Sequence, residues 1–313
     1  MVSEKYVPKF YPVTDSFRHI NPQDLSTGAL HSLLLSAVAP RPICFASTID
    51  HSGNVNLSPF SFFNVFSANP PVMVFSPARR GRDNTTKHTL ENVLEVPEVT
   101  INIVNYPIVE QMSLASTEYD KGVNEFVKSG LTPVASDQVK PPRVGESPIA
   151  FECKVYDVIA LGENGGAGNL VLSRVVRIHV NERYLDDEGK IDTVKLDLVS
   201  RLGGSWYGRM IPEALFEIPK PLAKKGIGVD ALPESVRLST VLTGNDLGRL
   251  GNIESMSSRE LVHKISTLPE VKVLIKGSTE DSGLVPFHQL ASQWMGEGKV
   301  EEALALLLLA DAR

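Results

Sequence analysis

What most narrows the fold is a succession of short apolar–polar alternations, cut apart by glycine and proline. Val99-Thr100-Ile101-Asn102-Ile103-Val104 alternates with period two. Successive side chains of a β-strand point to opposite faces, so this pattern suits a half-buried strand. Residues 43–49 and 71–76 are further strand candidates, with Pro71 at a strand start, where a missing N–H does least harm. Asp50-His51-Ser52-Gly53-Asn54 is turn chemistry and sends the strand from Val55 back as a hairpin. Phe151, Cys153 and Val155 alternate with Glu152 and Lys154. Val176, Ile178 and Val180 alternate with Arg177 and His179, which places His179 outward. One short helix, over residues 89–94, stops before Pro97. Many short strands, Gly/Pro turns and few helices define a mainly β barrel or sandwich.

Two regions depart from this texture. Residues 1–30 are polar and proline-containing and read as an extended arm. After about Pro221 the periodicity becomes helical. Ser257-Ser258-Arg259-Glu260 has the pattern of a capping box and opens a helix with Leu261, Val262, Ile265 and Leu268 on one stripe. Residues 271–275 read as a short strand, and 284–295 and 300–312 as helices. Gly226-Ile227-Gly228-Val229-Asp230 and residues 242–248 read as turns. The expected organisation is a barrel over residues 1–225 and a mainly helical extension over 226–313.

Bulk properties exclude several classes. An apolar share of 42% and a charged share of 22% over 313 residues suit a globular protein with a sizeable core. With 31 Lys and Arg against 37 Asp and Glu, the net charge is −6. The cationic stretch Ala78-Arg79-Arg80-Gly81-Arg82 is short, so nucleic acid is not an expected partner. No uncharged apolar run approaches the ~20 residues of a membrane span, and the N-terminus lacks the apolar core of a signal peptide. A cytoplasmic, membrane-free protein is expected, with Cys44 and Cys153 as small buried hydrophobes. None of the seven histidines falls at His-x-x-x-His spacing, so no metal site is expected. There is no Gly-x-Ser-x-Gly elbow and no Gly-x-Gly-x-x-Gly after a strand. The glycine-rich residues 162–169 lack the lysine and following helix of a phosphate loop and read as a hairpin loop.

Three segments carry unusual chemistry. Pro40-Arg41-Pro42 fixes an extended approach to the first strand. Asn56-Leu57-Ser58-Pro59-Phe60-Ser61-Phe62-Phe63-Asn64 is aromatic yet studded with hydroxyls and amides, as suits a pocket for a planar ring bearing a polyol. Residues 79–89 gather Arg79, Arg80, Arg82, Lys87, hydroxyls and a helix start, which is what a phosphate needs.

These segments resemble the flavin reductase-like family, whose fold is an FMN-binding split β-barrel. The resemblance covers residues 30–215. It rests on Pro40-Arg41-Pro42, Ser47-Thr48, Asn56-x-Ser58-Pro59-Phe60-Ser61-x-Phe63-Asn64, Pro70-Pro71-Val72, Lys87-x-Thr89 with Glu91-Asn92, and Arg201-Leu202-Gly203-Gly204-x-x-Tyr207. His88 stands where the family commonly has aspartate.

The resemblance implies Lys87 and Thr89 as phosphate ligands of FMN. It implies Ser47, Thr48, Asn56, Ser58, Ser61 and Asn64 around the ribityl chain and the polar edge of the flavin, and Arg201 and Tyr207 in a turn beside it. Phe60, Phe62 and Phe63 read as core. Arg79, Arg80 and Arg82 serve either a second anionic cofactor or solvent. The implied activity is hydride transfer from NAD(P)H to flavin N5, in a homodimer, with no dedicated catalytic acid or base and with a partner monooxygenase among the candidate acceptors. The alternatives are an FMN-binding electron carrier or storage protein without NAD(P)H turnover, and a barrel without flavin.

Overall fold

The computed structural model describes residues 16–218, 225–277 and 283–312. They fall into two compact units, one over His19–Phe216 and one containing Glu217–Arg313.

The first unit is built on a seven-stranded sheet. Its main strands are β1 (Cys44–Ile49), β2 (Val55–Phe60), β3 (Phe63–Ala68), β4 (Pro71–Phe75) and β5 (Glu98–Ile103). A two-residue pair, β6 (Pro133–Val134) and β7 (Arg143–Val144), precedes the long β8 (Ile149–Ala160) and β9 (Asn169–Val180). The hydrogen-bonded order is β2-β1-β5-β8-β9-β4-β3, with every neighbouring pair antiparallel. Strands β2 and β3 stand at opposite ends of this order, yet only Ser61 and Phe62 separate them in sequence. The sheet must therefore curl until its two edges approach. The result is a barrel open along the β2–β3 seam, a split barrel.

Two large apolar clusters pack against this sheet. Cys44, Ala46, Phe75, Val93, Ile101, Cys153 and Val171 form one; Phe45, Leu57, Ile108, Met112 and Phe126 form the other. Consecutive residues Cys44 and Phe45 go to different clusters, as period-two alternation requires. Both cysteines are buried as free thiols.

The polar N-terminal region holds a helix that the reading as an arm missed; residues 1–15 of that arm lie outside the described residues. Ser26 accepts from the Ala29 amide at 3.2 Å and caps α1 (Thr27–Ala37). None of its side chains is buried, so its leucines form no core-facing stripe and give no amphipathic signal. Two glycines let other loops approach its ends closely. A Cβ on Gly166, where φ is +91°, would sit 2.9 Å from Thr27 Cγ2, and one on Gly203 would sit 3.0 Å from Ser36 Cα. Further short helices are α2 (His88–Glu95), α3 (Val109–Leu114), α4 (Glu125–Ser129) and α5 (Thr193–Leu196), before the ribbon of β10 (Val199–Arg201) and β11 (Tyr207–Arg209).

The second unit is helical: α6 (Glu234–Arg237), α7 (Gly244–Gly251), α8 (Arg259–Ser266), α9 (Pro269–Gly277), α10 (Val285–Gly296) and α11 (Val300–Asp311). Its core gathers Leu247, Leu250, Ile265, Phe287, Trp294, Leu304 and Leu307. Three expectations are corrected here. Residues 271–275 are helix, because Val271, Leu274 and Ile275 at i, i+3 and i+4 turn one stripe onto this core. The turn expected at 242–248 contains a helix start, where Thr243 and Asp246 form a reciprocal capping box. The α8 cap is Ser258, which accepts from the Leu261 amide, one residue later than the sequence pattern placed it. No helix among the described residues is long and apolar enough to cross a membrane.

Candidate functional site

Edge strand β2 supplies the first groups. An edge strand leaves backbone donors without a strand partner. One of them, the Leu57 N–H, donates to Glu125 Oε2 at 2.9 Å. On the neighbouring position Asn56 Nδ2 donates to Thr89 Oγ1 at 2.8 Å, so β2 is tied to the first turn of α2. Lys87 is the N-cap residue of that helix, and no side chain caps it. A small recess results, walled by Asn56, Ser58, Arg80, Lys87, His88, Thr89, Glu118 and Glu125.

Arg80, Lys87 and Glu118 also wall a wider cleft of about 770 Å³. Its remaining sides come from α1 through Thr27, Leu30, His31 and Leu34, from Phe62, and from Arg79 and Arg82. Phe62 is 41% exposed and meets the His31 ring edge-on at 6.1 Å between centroids, so this phenyl is cleft wall rather than core. Ser116 links the recess to a third cavity of about 360 Å³, lined by Pro59, Phe60, Ser61, Arg201 and Tyr207 among others. The Arg201 guanidinium lies 4.7 Å above the Tyr207 ring.

The cation loop is braced by the glycine-rich hairpin between β8 and β9. The Arg79 amide donates to the Ala167 carbonyl at 2.8 Å and the Gly166 amide to the Arg79 carbonyl at 3.0 Å. Arg79 is held by Asn84 through Oδ1 and its carbonyl, both at 2.7 Å. Arg80, Arg82 and Lys87 converge on one carboxylate, Glu118. The Lys87 hydrogen bond, aided by Arg82 and Arg80 and opposed by partial burial, holds that carboxyl below its ordinary value. Glu125 moves the other way, since burial raises its pKa against the lowering effect of its backbone hydrogen bonds.

The sequence-predicted residues therefore divide. Asn56, Ser58, Lys87 and Thr89 meet in the recess, and Ser61, Arg201 and Tyr207 meet in the adjoining cavity. Ser47 and Thr48 lie fully buried in β1 and wall none of these spaces; Thr48 Oγ1 accepts from Asn92 Nδ2 at 3.2 Å. Asn64 is exposed on β3, where its Oδ1 accepts the Val65 amide.

Four groups were not among the predicted site residues. Glu118 and Glu125 sit in stretches without a motif. Arg41, flanked by prolines, is 5% exposed; it donates to the Leu35, Val38 and Leu202 carbonyls and to Ser61 Oγ. It thus ties the end of α1 to the 201–207 turn and the β2–β3 seam.

The fourth group corrects the outward placement of His179. Its Nε2 lies 2.6 Å from Oε1 of Glu152, which is fully buried although it occupies a polar position of the alternation. The Asp137 and Val139 amides, at 2.7 and 3.2 Å, and the Gln138 amide also donate to Glu152. Burial pushes this carboxyl up, but the Asp137 amide, His179 and the Gln138 amide together bring it below its ordinary value. Asp137, Glu152 and His179 place ligand-type atoms within 4.8 Å of one another. Both Glu152 oxygens are already engaged, as befits a carboxylate that holds the 137–139 loop to the sheet.

The geometry defines a split barrel with a cationic and hydroxyl-lined groove along its open seam. The family model described as "Flavin reductase like domain" matches residues 36–195. The chain belongs to the flavin reductase-like family. An uncharacterized protein of Aquifex aeolicus is 37% identical over 60% of this chain and 94% of its own length. Among solved structures, nitrilotriacetate monooxygenase component B from Bacillus cereus has a TM-score of 0.61 at 30% identity, covering 66% of this chain and 100% of that one. A Shewanella frigidimarina protein with a flavin-reductase-type split barrel domain has a TM-score of 0.55 at 30% identity, covering 64% and 96%.

Proposed function

We propose that this chain binds FMN in the groove and oxidises NADH or NADPH through it. The single observation that carries the reading is the recess in which Lys87, Thr89, Arg80 and the side-chain-uncapped start of α2 meet Asn56 and Ser58. Charge-assisted donors beside free helix amides suit a phosphate monoester, and hydroxyl and amide groups on one strand suit a polyol. Bound FMN would supply the hydride chemistry. The chain's own residues would hold and orient it: Lys87, Arg80 and Thr89 at the phosphate, Asn56, Ser58 and Ser61 along the polyol and the polar ring edge, Arg201 and Tyr207 at the far end. The wider cleft, with Phe62 and Leu34 as apolar wall and Arg79 and Arg82 at its rim, is the place for the nicotinamide nucleotide. Net charge −6 would repel a dinucleotide in general, and this local cationic rim offsets that.

We also propose that the protein is a cytoplasmic homodimer. Val65 and Phe66 on β3, Tyr156 on β8 and Val176 and Ile178 on β9 are 42–68% exposed, an apolar sheet face that suits a twin copy. A partner monooxygenase is a fitting acceptor of reduced flavin, in keeping with the component B protein above.

The test is an absorbance spectrum of the purified protein followed by anaerobic mixing with NADH and with NADPH. Loss of the flavin band with either nucleotide is the expected outcome. Protein that takes up FMN but is bleached by neither is an electron carrier instead. Protein that stays colourless after added FMN overturns the flavin reading.

A further inference from the structure

Glu118 is the one carboxylate among the described residues that touches three cations of the groove. Its Oε1 lies 2.8 Å from Lys87 Nζ and 3.2 Å from Arg80 Nε, and its Oε2 lies 2.8 Å from Arg82 Nη2. It projects from the loop between α3 and α4, and it walls both the small recess and the wider cleft. Two oxygens shared by three cations is the arrangement a phosphate monoester takes in such a cluster, with donors converging on a compact anion.

The cluster needs such an anion. Arg79, Arg80, Arg82 and Lys87 lie within nine residues of one another, and their acidic partners among the described residues are Glu118 and Asp83. Asp83 pairs with Arg82 alone and is otherwise turned to Thr85. Lys87 and Arg80, the two cations that wall the recess, have Glu118 as their carboxylate.

Resting on the FMN reading above, we propose that Glu118 is an internal stand-in for the flavin phosphate, which the arriving phosphate must displace. The consequence is a site whose excess positive charge is partly neutralised when empty and which releases its flavin readily. Glu118 is then a specificity and exchange determinant rather than a ligand. It weakens binding of the phosphorylated flavin and leaves the ring and polyol contacts alone. Its side chain is 34% exposed, so it can swing into solvent when displaced.

The test compares FMN with riboflavin, which lacks the phosphate, on the full-length protein. Glu118→Gln and Glu118→Ala should each bind FMN about tenfold more tightly than the natural chain and release it more slowly. Riboflavin affinity should stay within about twofold. The alanine variant matters because a glutamine amide could itself donate to the phosphate. In a Lys87→Ala background the gain should shrink, since the released cation is then missing. Unchanged or weaker FMN binding in the Glu118 variants overturns the inference, because Glu118 then only arranges the cations. A full gain in the Lys87→Ala background overturns it too. If the natural chain does not prefer FMN to riboflavin, the phosphate site itself fails, and the inference falls with it. If the preference is present and the Glu118 variants alone are silent, only the inference fails.

Discussion

The two units bury different kinds of residue. The barrel unit encloses Arg41, Asn56, Thr89, Asn92, Thr100, Asn102, Glu125 and Glu152, each hydrogen-bonded to another element. In the helical unit the buried polar side chains among the described residues are Ser239, Asp246 and His288. Asp246 belongs to a cap and Ser239 bonds His288 Nδ1 at 2.7 Å. The rest of its core is Leu, Ile, Ala, Val, Phe, Trp and Met. A buried polar group must find partners or cost stability, so the helical unit spends little of its interior on specificity. The barrel does, because its loops and edges are held to the sheet by side-chain hydrogen bonds as well as by apolar packing. The proposed ligand groove opens in the unit whose walls are fixed that way.

The comparison can be broken by substitution. The largest effect is expected at Glu152. Glu152→Ala leaves three backbone amides and His179 without their acceptor, and should cost about 3–5 kcal/mol, since each buried donor left without a partner costs about 1–3 kcal/mol. Urea denaturation followed by circular dichroism measures it; a loss under about 1 kcal/mol would mean that the 137–139 loop does not depend on this carboxylate.

In the helical unit the matching damage is apolar. Leu304 is fully buried, and Leu304→Ala should cost about 3 kcal/mol through a cavity. Trp294 is 6% exposed in the same core, whereas Trp206, the other tryptophan, is 76% exposed in the barrel unit. The blue-shifted part of the emission therefore reports the helical core, and its denaturation midpoint should fall.

Binding gives a smaller effect, confined to one ligand. Lys87→Ala should weaken FMN by about 1.5–3 kcal/mol, the range for a hydrogen bond to a charged group, and barely touch riboflavin. Equal losses for both flavins in a titration would remove Lys87 from the phosphate.

The smallest effect is one of pH. Burial lowers the His288 pKa from 6.5, so the folded unit prefers the neutral ring. The unfolded chain then binds the extra proton, and this contribution to stability is lost as pH falls from 6.5 through the folded value. Glu152, despite burial, is held below 4.5 by its donors, so its contribution is lost only as pH falls below that. Mild acid should therefore shift the Trp294 emission, in the same window in which His88 of the barrel unit, also lowered by burial, loses its contribution. A His288→Phe variant whose Trp294 signal keeps the same slope between pH 5 and 6.5 would assign that slope elsewhere.

Much of this was legible in the chain. Period-two alternation and turn residues located β1, β2, β4, β5, β8 and β9, and the Lys87-x-Thr89 and Asn56-x-Ser58 segments do share one recess. The α1 helix was not legible, because leucines spread around a helix that buries none of them leave no period to detect. Val271, Val273 and Ile275 mimic strand alternation, and only the apolar core against which Val271 and Ile275 pack decides for helix.

The sequence by itself determined local geometry: which residues alternate, where a turn or cap falls, and which hydroxyls and cations lie close along the chain. Tertiary structure decided what covers each face. Alternation assigns Glu152 and His179 to a polar side, but the 137–139 loop closes over that side and makes it interior. Ser47 and Thr48 carry the hydroxyls a ligand would want, yet the barrel and α2 seal them in. Glu118 and Glu125 reach the groove from the α3–α4 region, tens of residues from the groups they meet. Local pattern encodes direction relative to the backbone; burial and charge pairing depend on which distant segment arrives there, and that is settled only when the sheet curls and brings β2 and β3 near each other.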